Sequence, residues 1–461
     1  MENRSKLELV VFPWLAMGHL IPFLRFSMVL AERGHSISFI STPKNLQKLP
    51  KIPKQLSSSI SLISFPLPSI SGLPSHAETT SDIPYTKQQL LKKAFDLLQT
   101  PLTLFLQSSK PDWVIYDYAS HWLPSLTSDL GISSAFFSLF TGAALSFIGP
   151  QPLLMTDGDS RSTAEDFTVV PAWVPFESNI KYRVHEVSKY VEKTEEDKTG
   201  PSDSVRFGFA IGNADLVIIR SSPEFEPEWF ELFGKLSGKP VIPIGFLPPL
   251  TEEDEEDKEW IRMKEWLDKK EAKSVVYVGL GSEAALTREE VQRLAIGLEK
   301  SESAFFWALG STQSKKTVLP DEFEERVKDR GVVYSGWVPQ VKILSHEAVG
   351  VFLTHCGWNS VVEGLSLKKV LILFPVLNDQ GLNARLLEGK KLGVEIPRDE
   401  FNGEFTSDSV ADLVNKAKLD ELGKEKMKGD MFGDWIRNNQ SVDEVVRYLQ
   451  QNRNSFQVKK P

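Results

Sequence analysis

Residues 337–380 read WVPQVKILSHEAVGVFLTHCGWNSVVEGLSLKKVLILFPVLNDQ, and the order of patterns inside them decides the fold. The apolar run GVFLT, Gly350 to Thr354, breaks at His355-Cys356-Gly357-Trp358-Asn359-Ser360, and the helical pattern VVEGLSL follows. A strand therefore stops, turns on a glycine and starts a helix. The first backbone N–H groups of a helix lack partners and carry the positive end of its dipole, so such a turn favours an anion. Asn359 and Ser360 supply capping or phosphate-directed side chains, Gly357 lets backbone come close, and His355 adds an N–H donor. An ordinary capped turn would look the same if it stood alone. Trp337 and Gln340 precede this one, Glu363 lies on the helix it opens, and a second strand, VLILF, ends just before Asp379-Gln380, so phosphate is the guest it fits.

Working outward, strand and helix patterns alternate on both sides. LELVVF, a helix near His19 to Arg33, HSISFIS and ISLISF are followed by a helix over Gln88 to Gln107 and the strands DWVIYD, SSAFFS and ADLVIIR. Strands that alternate with helices predict parallel sheets covered on both faces. Pro240 to Asp257, VIPIGFLPPL leading into an acidic run, reads as a boundary, because such a run is not buried. Helix Lys258 to Lys270 and the strands SVVYVGL, FFWAL, GVVYS, GVFLT and VLILF build a second doubly wound sheet, whose ligands belong beyond the carboxyl ends of its strands. A long helical stretch, Asp420 to Gln451 with a break near Gly433, closes the chain.

A length of 461 residues points to two or three domains. A net charge of −9 without a basic stripe argues against nucleic acid or an anionic membrane as partner. The lone cysteine, Cys356, excludes a disulfide framework and a cysteine-rich metal site, and reads as a small packing residue. The apolar run before Pro13 is too short for a signal peptide, so the cytosol is the expected location. Phe136 to Met155 is interrupted by Ser, Thr, Gly and two Pro residues and reads as a strand and a buried helix, with no membrane span. Asn3-Arg4-Ser5 and Asn439-Gln440-Ser441 match glycosylation sequons that carry no meaning without secretion.

The 337–380 stretch as a whole resembles the signature box of plant family 1 glycosyltransferases that use UDP-sugars. The resemblance implies an α/β fold of the GT-B class, two Rossmann-like doubly wound domains facing across a cleft. It also implies that Trp337, with Val338 beside it, stacks on uracil, Gln340 and Glu363 bind ribose, and His355, Gly357, Asn359 and Ser360 hold the diphosphate. Trp358, Asp379 and Gln380 would bind the sugar hydroxyls. Each role suits its residue: an indole is a platform for a base, a carboxylate accepts from ribose hydroxyls, and an Asp beside a Gln accepts from and donates to a vicinal diol. Ser282, after the strand SVVYVGL, stands where the family has a diphosphate contact, and a simple turn is an equal reading. Thr141 matches a family hydroxyl near the sugar and phosphate. Gly350-Val351 and Leu367-Lys368-Lys369-Val370 depart from the family pattern, away from the expected ligand contacts.

His19 follows the first strand and Asp117 ends DWVIYD, which would neighbour that strand in a parallel sheet. The family carries its base and charge partner at these two positions. An acceptor hydroxyl is a poor nucleophile at neutral pH, so a neutral imidazole must take its proton while a carboxylate fixes the tautomer; help of this kind is worth about 100- to 10,000-fold. His121 and Asp112 are nearby competitors, one in the following helix and one at its strand's opening. Gly18 and the apolar residues Trp14, Leu15, Trp122, Phe140 and Phe147 form an acceptor wall or, for some of the aromatic residues, core. No Asp-x-Asp pair stands near a strand end, which agrees with a metal-free site and no cofactor beyond the UDP-sugar donor.

The expected domains are 1–244 for the acceptor, 245–257 as linker and acidic loop, 258–435 for the UDP-sugar, and 436–461 as a helix returning to the first domain with a tail. A monomer is expected. FPWLAMGHLIPFL followed by HSISFISTPKN resembles the subgroup that lengthens sugar chains on flavonoid, steviol or triterpenoid glycosides. That implies inverting transfer of glucose or rhamnose to a sugar hydroxyl. Gln380 is what the family associates with glucose, and some rhamnose users retain it, so the donor stays open. Transfer to an aglycone hydroxyl and a non-catalytic UDP-sugar-binding protein are alternatives; His19 with Asp117 argues against the second. A Rossmann oxidoreductase would need Gly-x-Gly-x-x-Gly after the first strand, and PWLAMGHLI does not provide it.

Overall fold

Strands that are apolar on both faces need a helical layer on each side, and both sheets of this protein have that character. The computed structural model describes residues 6–156, 158–191, 200–249, 258–281, 286–310, 315–418 and 440–453. They divide into two compact units. The first falls within Met1–Arg161, Glu192–Leu247 and Arg437–Pro461, the second within Ser162–Val191 and Pro248–Ile436.

The first unit holds β1 (Glu8–Phe12), β2 (Ser36–Ser41), β3 (Ile60–Ser64), β4 (Trp113–Tyr116), β5 (Ser133–Ser138), β6 (Leu216–Ile219) and β7 (Val241–Pro243) in the order β3-β2-β1-β4-β5-β6-β7. Alternation along the strands supplies two cores. Leu9, Val11, Trp113 and Ile115 face one, while Val10, Phe12, Val114 and Tyr116 face the other. The helix Gln440–Gln451 closes the first of these with Val442, Val445 and Leu449, and Trp113 donates its indole N–H to the Leu449 carbonyl at 3.0 Å. The single helix expected over Gln88 to Gln107 is two, Gln88–Asp96 and Gln99–Ser109. Pro101 has no N–H to give and suits a first helical turn, so a new helix starts just before it. Phe136 to Met155 likewise contains the end of β5 and two short helices, Gly142–Ile148 and Gln151–Met155, split at Gly149-Pro150. Among the described residues no helix is long and apolar enough to cross a membrane.

The second unit holds β8 (Val275–Gly279), β9 (Ala304–Leu309), β10 (Gly331–Ser335), β11 (Val349–Thr354), β12 (Val370–Leu373) and β13 (Gly393–Glu395) in the order β10-β9-β8-β11-β12-β13. Ser162–Val191 also belongs here, although the sequence reading gave it to the first domain. Charged side chains explain the difference: Arg183 pairs with Glu395, and Glu186 with Arg385, in a largely buried network. The first unit closes at Leu247, past the expected 244, because Arg220 donates to the carbonyls of Phe246 and Leu247. The acidic run at 252–257, the break near Gly433 and Ser282 lie outside the described residues.

Strand order reverses between β1 and β4 in the first sheet and between β8 and β11 in the second. Carboxyl ends at such switch points are where doubly wound sheets hold ligands. Register fixes what meets there: Phe12 lies beside Tyr116, and Gly279 beside Thr354. The two departures from the family pattern sit at the opposite, amino ends of β11 and β12. At Gly350 a Cβ would fall 2.5 Å from the Lys273 carbonyl oxygen, and Lys368 takes a φ of 56° in place of a glycine.

Candidate active site

In the first unit the turn after β1 leads into the helix Met17–Glu32, which carries His19 in its first turn, and the turn after β4 begins with Asp117. The two residues are 98 apart in sequence, yet His19 Nδ1 lies 2.8 Å from Asp117 Oδ2. The same oxygen accepts the Trp14 N–H at 2.9 Å, and Asp117 is 2 % exposed. The carboxylate therefore holds the imidazole in one orientation and leaves Nε2 as the nitrogen able to take a proton. Neither competitor has that freedom. Arg206 donates to His121 Nδ1 at 3.0 Å, and burial with that guanidinium lowers the His121 pKa. Asp112 accepts the Glu8 N–H at 2.8 Å and an N–H of Arg453 at 2.7 Å, a structural role.

The acceptor wall divides. Trp14, Leu15 and Phe147 are buried, which agrees with the core alternative for the two aromatic residues. Phe140 and Trp122 are half-buried, and Phe140 stands edge-on to the His19 ring at 6.2 Å. Gly18 is exposed beside His19. Tyr118, which the sequence reading passed over, lies 5.9 Å from the His19 ring and stacks on Phe207 at 4.8 Å. Its signal was adjacency to Asp117. Thr141 caps the helix Gly142–Ile148, its Oγ1 accepting the Ala144 N–H, while the buried Glu226 carboxylate takes the N–H groups of Gly142 and Ala143 at 2.9 Å. This helix start is filled from within, so the backbone of the Thr141 turn has little left for a phosphate.

In the second unit the β11 turn opens the helix Trp358–Ser366, and Gly357 at its N-cap leaves the helix start without a side-chain cap. Cys356 is buried with a φ of 67°, a left-handed backbone that a non-glycine residue rarely adopts, and Asn383 holds it by donating to its carbonyl at 3.1 Å. Asn383 also donates to Asp379 Oδ2 at 2.8 Å, tying the two turns together. It too was missed, being legible only as the residue one helical turn after Asp379. The His355 ring lies between two bare backbones: a Cβ at Gly281 would fall 2.8 Å from its Nε2, and one at Gly357 2.6 Å. Burial holds the His355 pKa down to about 4, against the pull of the neighbouring Gly279 backbone, so the ring is neutral at neutral pH. Nδ1 makes no hydrogen bond of normal geometry.

Gln340 is the hub of this half. Its Nε2 donates to Glu363 Oε2 at 2.7 Å and to Ser360 Oγ at 3.0 Å, and its Oε1 accepts the Tyr277 hydroxyl at 3.1 Å. Trp337 is 75 % exposed, a bare indole face, and Val338 beside it is nearly buried. Asn359 is half-buried at the helix start. Trp358, expected at the sugar, is 4 % exposed. Gln380 Oε1 accepts the N–H groups of Val376 and Leu377, both at 2.9 Å, which leaves its amide as a donor only. At Gly381 a Cβ would fall 2.5 Å from Glu186 Oε2, so a buried carboxylate from another part of the chain backs the first turn of the helix Gln380–Gly389. Among the described residues no group of three or more His, Cys, Asp or Glu is placed to hold a metal ion.

Residues 238–427 match the family model described as UDP-glucoronosyl and UDP-glucosyl transferase. The chain is 60 % identical over 454 residues to UDP-glycosyltransferase 91C1 of Arabidopsis thaliana, covering 97 % of each. It is 34 % identical over 430 residues to an anthocyanidin 3-O-glucoside 2''-O-glucosyltransferase of Ipomoea purpurea, covering 91 % of each. The crystal structure of Arabidopsis thaliana UGT89C1 complexed with UDP-L-rhamnose is similar with a TM-score of 0.73 at 25 % identity, covering 96 % of this chain and 99 % of that one.

Proposed function

This chain belongs to the UDP-glycosyltransferase family, and from that premise we propose that it moves glucose or rhamnose from a UDP-sugar to a sugar hydroxyl of a flavonoid, steviol or triterpenoid glycoside. His19 acts as general base and Asp117 as its charge partner. The observation that carries the reading is the 2.8 Å contact between His19 Nδ1 and a buried Asp117 oxygen, which frees Nε2 for the acceptor. As the acceptor oxygen attacks the anomeric carbon, its proton passes to Nε2, and the bond from that carbon to the diphosphate oxygen breaks on the opposite side. The anomeric centre inverts. Asp117 stabilises the imidazolium that forms.

The leaving diphosphate takes its stabilisation from the uncapped start of the helix Trp358–Ser366, Ser360, Asn359 and the neutral His355. Uracil stacks on the exposed Trp337, and the ribose hydroxyls meet Glu363, whose carboxylate Gln340 already orients. Asp379 and the donor amide of Gln380 take the sugar. A glycoside as acceptor is supported by the Ipomoea purpurea relative, named for 2''-O-transfer to a 3-O-glucoside. Location in the cytosol and a monomeric state complete the reading, and imaging of a tagged chain with sedimentation of the purified enzyme tests them.

His19→Ala tests the assignment of the base. Transfer falls by at least about 100-fold while the Kd for UDP, measured by titration calorimetry, stays within about twofold. Wild-type turnover in the variant would remove His19 from the mechanism.

A further inference from the structure

Three buried tyrosines of this protein differ in one respect. Tyr116 donates its hydroxyl to the Ala210 carbonyl at 2.6 Å and Tyr277 to Gln340 Oε1 at 3.1 Å. Tyr118 is 8 % exposed, and its hydroxyl has no hydrogen-bond partner among the described residues. The ring is held inside the protein while its hydroxyl keeps contact with solvent, so a fixed ring presents one donor that a ligand can meet. The ring has little freedom to look elsewhere for one. It stacks on Phe207 with an interplanar angle of 14°, meets Trp14 and Phe140 edge-on at 6.4 Å each, and lies 5.9 Å from the ring of His19.

A charged pair stands over the same ring. Lys92 Nζ is 5.9 Å from the Tyr118 centroid and donates to Asp203 Oδ1 at 2.5 Å. The Lys92 side chain is 4 % exposed, whereas that of Asp203 is 47 % exposed. One carboxylate oxygen is thus fixed by a buried ammonium, and the other, Oδ2, has no partner among the described residues. Burial first, and the charge of Asp203 second, push the Tyr118 pKa well above the usual phenol range, so the hydroxyl remains a donor throughout the working pH range.

We propose that Tyr118 and Asp203, the second anchored by Lys92, form the subsite for the sugar already present on the acceptor, the phenol donating to one hydroxyl and the carboxylate accepting from another. A phenol donor and a carboxylate acceptor, both near Lys92, can divide the hydroxyls of one sugar ring between them, and the flanking aromatic faces match the C–H face of a pyranose. The distance from Tyr118 to His19 lets one sugar ring touch both, which brings a hydroxyl of that ring to the base. This inference rests on the reading that the acceptor is a glycoside.

The test uses the full-length enzyme with one UDP-sugar and three pairs of acceptors: flavonol, steviol and triterpenoid monoglucosides, each beside its aglycone. Tyr118→Phe keeps the ring and its stacking and removes only the hydroxyl; Asp203→Asn keeps the shape and removes the charge. In both variants the KM for the preferred glucoside rises about tenfold, kcat changes less than about threefold, and the KM for its aglycone stays within about twofold. An unchanged glucoside KM, or an equal rise for glucoside and aglycone, overturns the subsite while leaving the glycoside reading standing. A wild-type enzyme that extends aglycones and no glucoside overturns both.

Discussion

Gln340 and Glu363, 23 residues apart, share a 2.7 Å hydrogen bond that joins the turn after β10 to the helix opened by the β11 turn. The carboxylate is thereby oriented before any nucleoside arrives. On the proposed reading both residues meet the ribose, so removing either one removes a ligand contact together with the contact that orients the other. Gln340→Ala and Glu363→Ala should each raise the Kd for UDP by about tenfold or more, and the double variant should lose less than the product of the two, because residues in one network do not add. Titration calorimetry of UDP against the four proteins of the cycle measures this.

Asp117 takes hydrogen bonds from the Trp14 N–H and the His19 ring through one oxygen. Asp117→Asn keeps the shape and removes the charge that stabilises an imidazolium, and an amide turned to donate imposes the wrong tautomer on His19. The expected result is a kcat lower by about 100- to 10,000-fold with UDP affinity unchanged within about twofold. Single-turnover kinetics beside UDP titration separate the two effects.

The parts of this site that lie close together in sequence were legible before the fold was known. Gly357, Asn359, Ser360 and Glu363 follow one strand directly, and the strand-turn-helix pattern alone puts them at a helix start. His19 and Asp117 needed one further step, the adjacency of β1 and β4, which parallel strand order supplies. What stayed hidden depends on side-chain partners far along the chain. Glu186 meets Arg385 across 199 residues and carries Ser162–Val191 into the second unit, and no local pattern announces such a pair. Burial is equally silent: nothing local in the sequence separates the buried Trp14 and Trp358 from the half-buried Trp122 and the exposed Trp337. Gln380 kept its expected place but lost its acceptor oxygen to the backbone of its own turn.

His355 carries a pH dependence of known sign. Its pKa in the folded chain is lowered to about 4 from 6.5, so between those values the unfolded chain binds more protons than the folded one. The stability it contributes is whole above pH 6.5 and is lost as pH falls toward 4. A shift of that size caps the loss at about 3 kcal/mol, and partial exposure of the residue to water reduces what is realised. Urea unfolding of the wild type and of His355→Gln at pH 7 and pH 4.5 isolates the term. The wild type should lose more stability on acidification than the variant does.

Arg385 is buried between two carboxylates, donating to both oxygens of Glu186 at 2.7 Å and standing 3.5 Å from Glu395. It also donates to the Gly381 carbonyl in the first turn of the helix that begins with Gln380. Taking away one partner of a buried pair strands the opposite charge, so Arg385→Met should cost about 3–5 kcal/mol near neutral pH. Burial already raises the Glu395 pKa, and losing the guanidinium raises it further. A carboxyl whose pKa is raised in the folded state is tolerated once protonated, so the deficit of the variant should shrink as pH falls toward 4.5, opposite in sense to the His355 effect. Adding Glu186→Gln to Arg385→Met removes one of the stranded charges and should return part of the lost stability at pH 7. Denaturant midpoints of the single and double variants at pH 7 and pH 4.5 decide it: a deficit that is the same at both pH values, or a double variant weaker than the single one, would show that packing and not charge accounts for the loss.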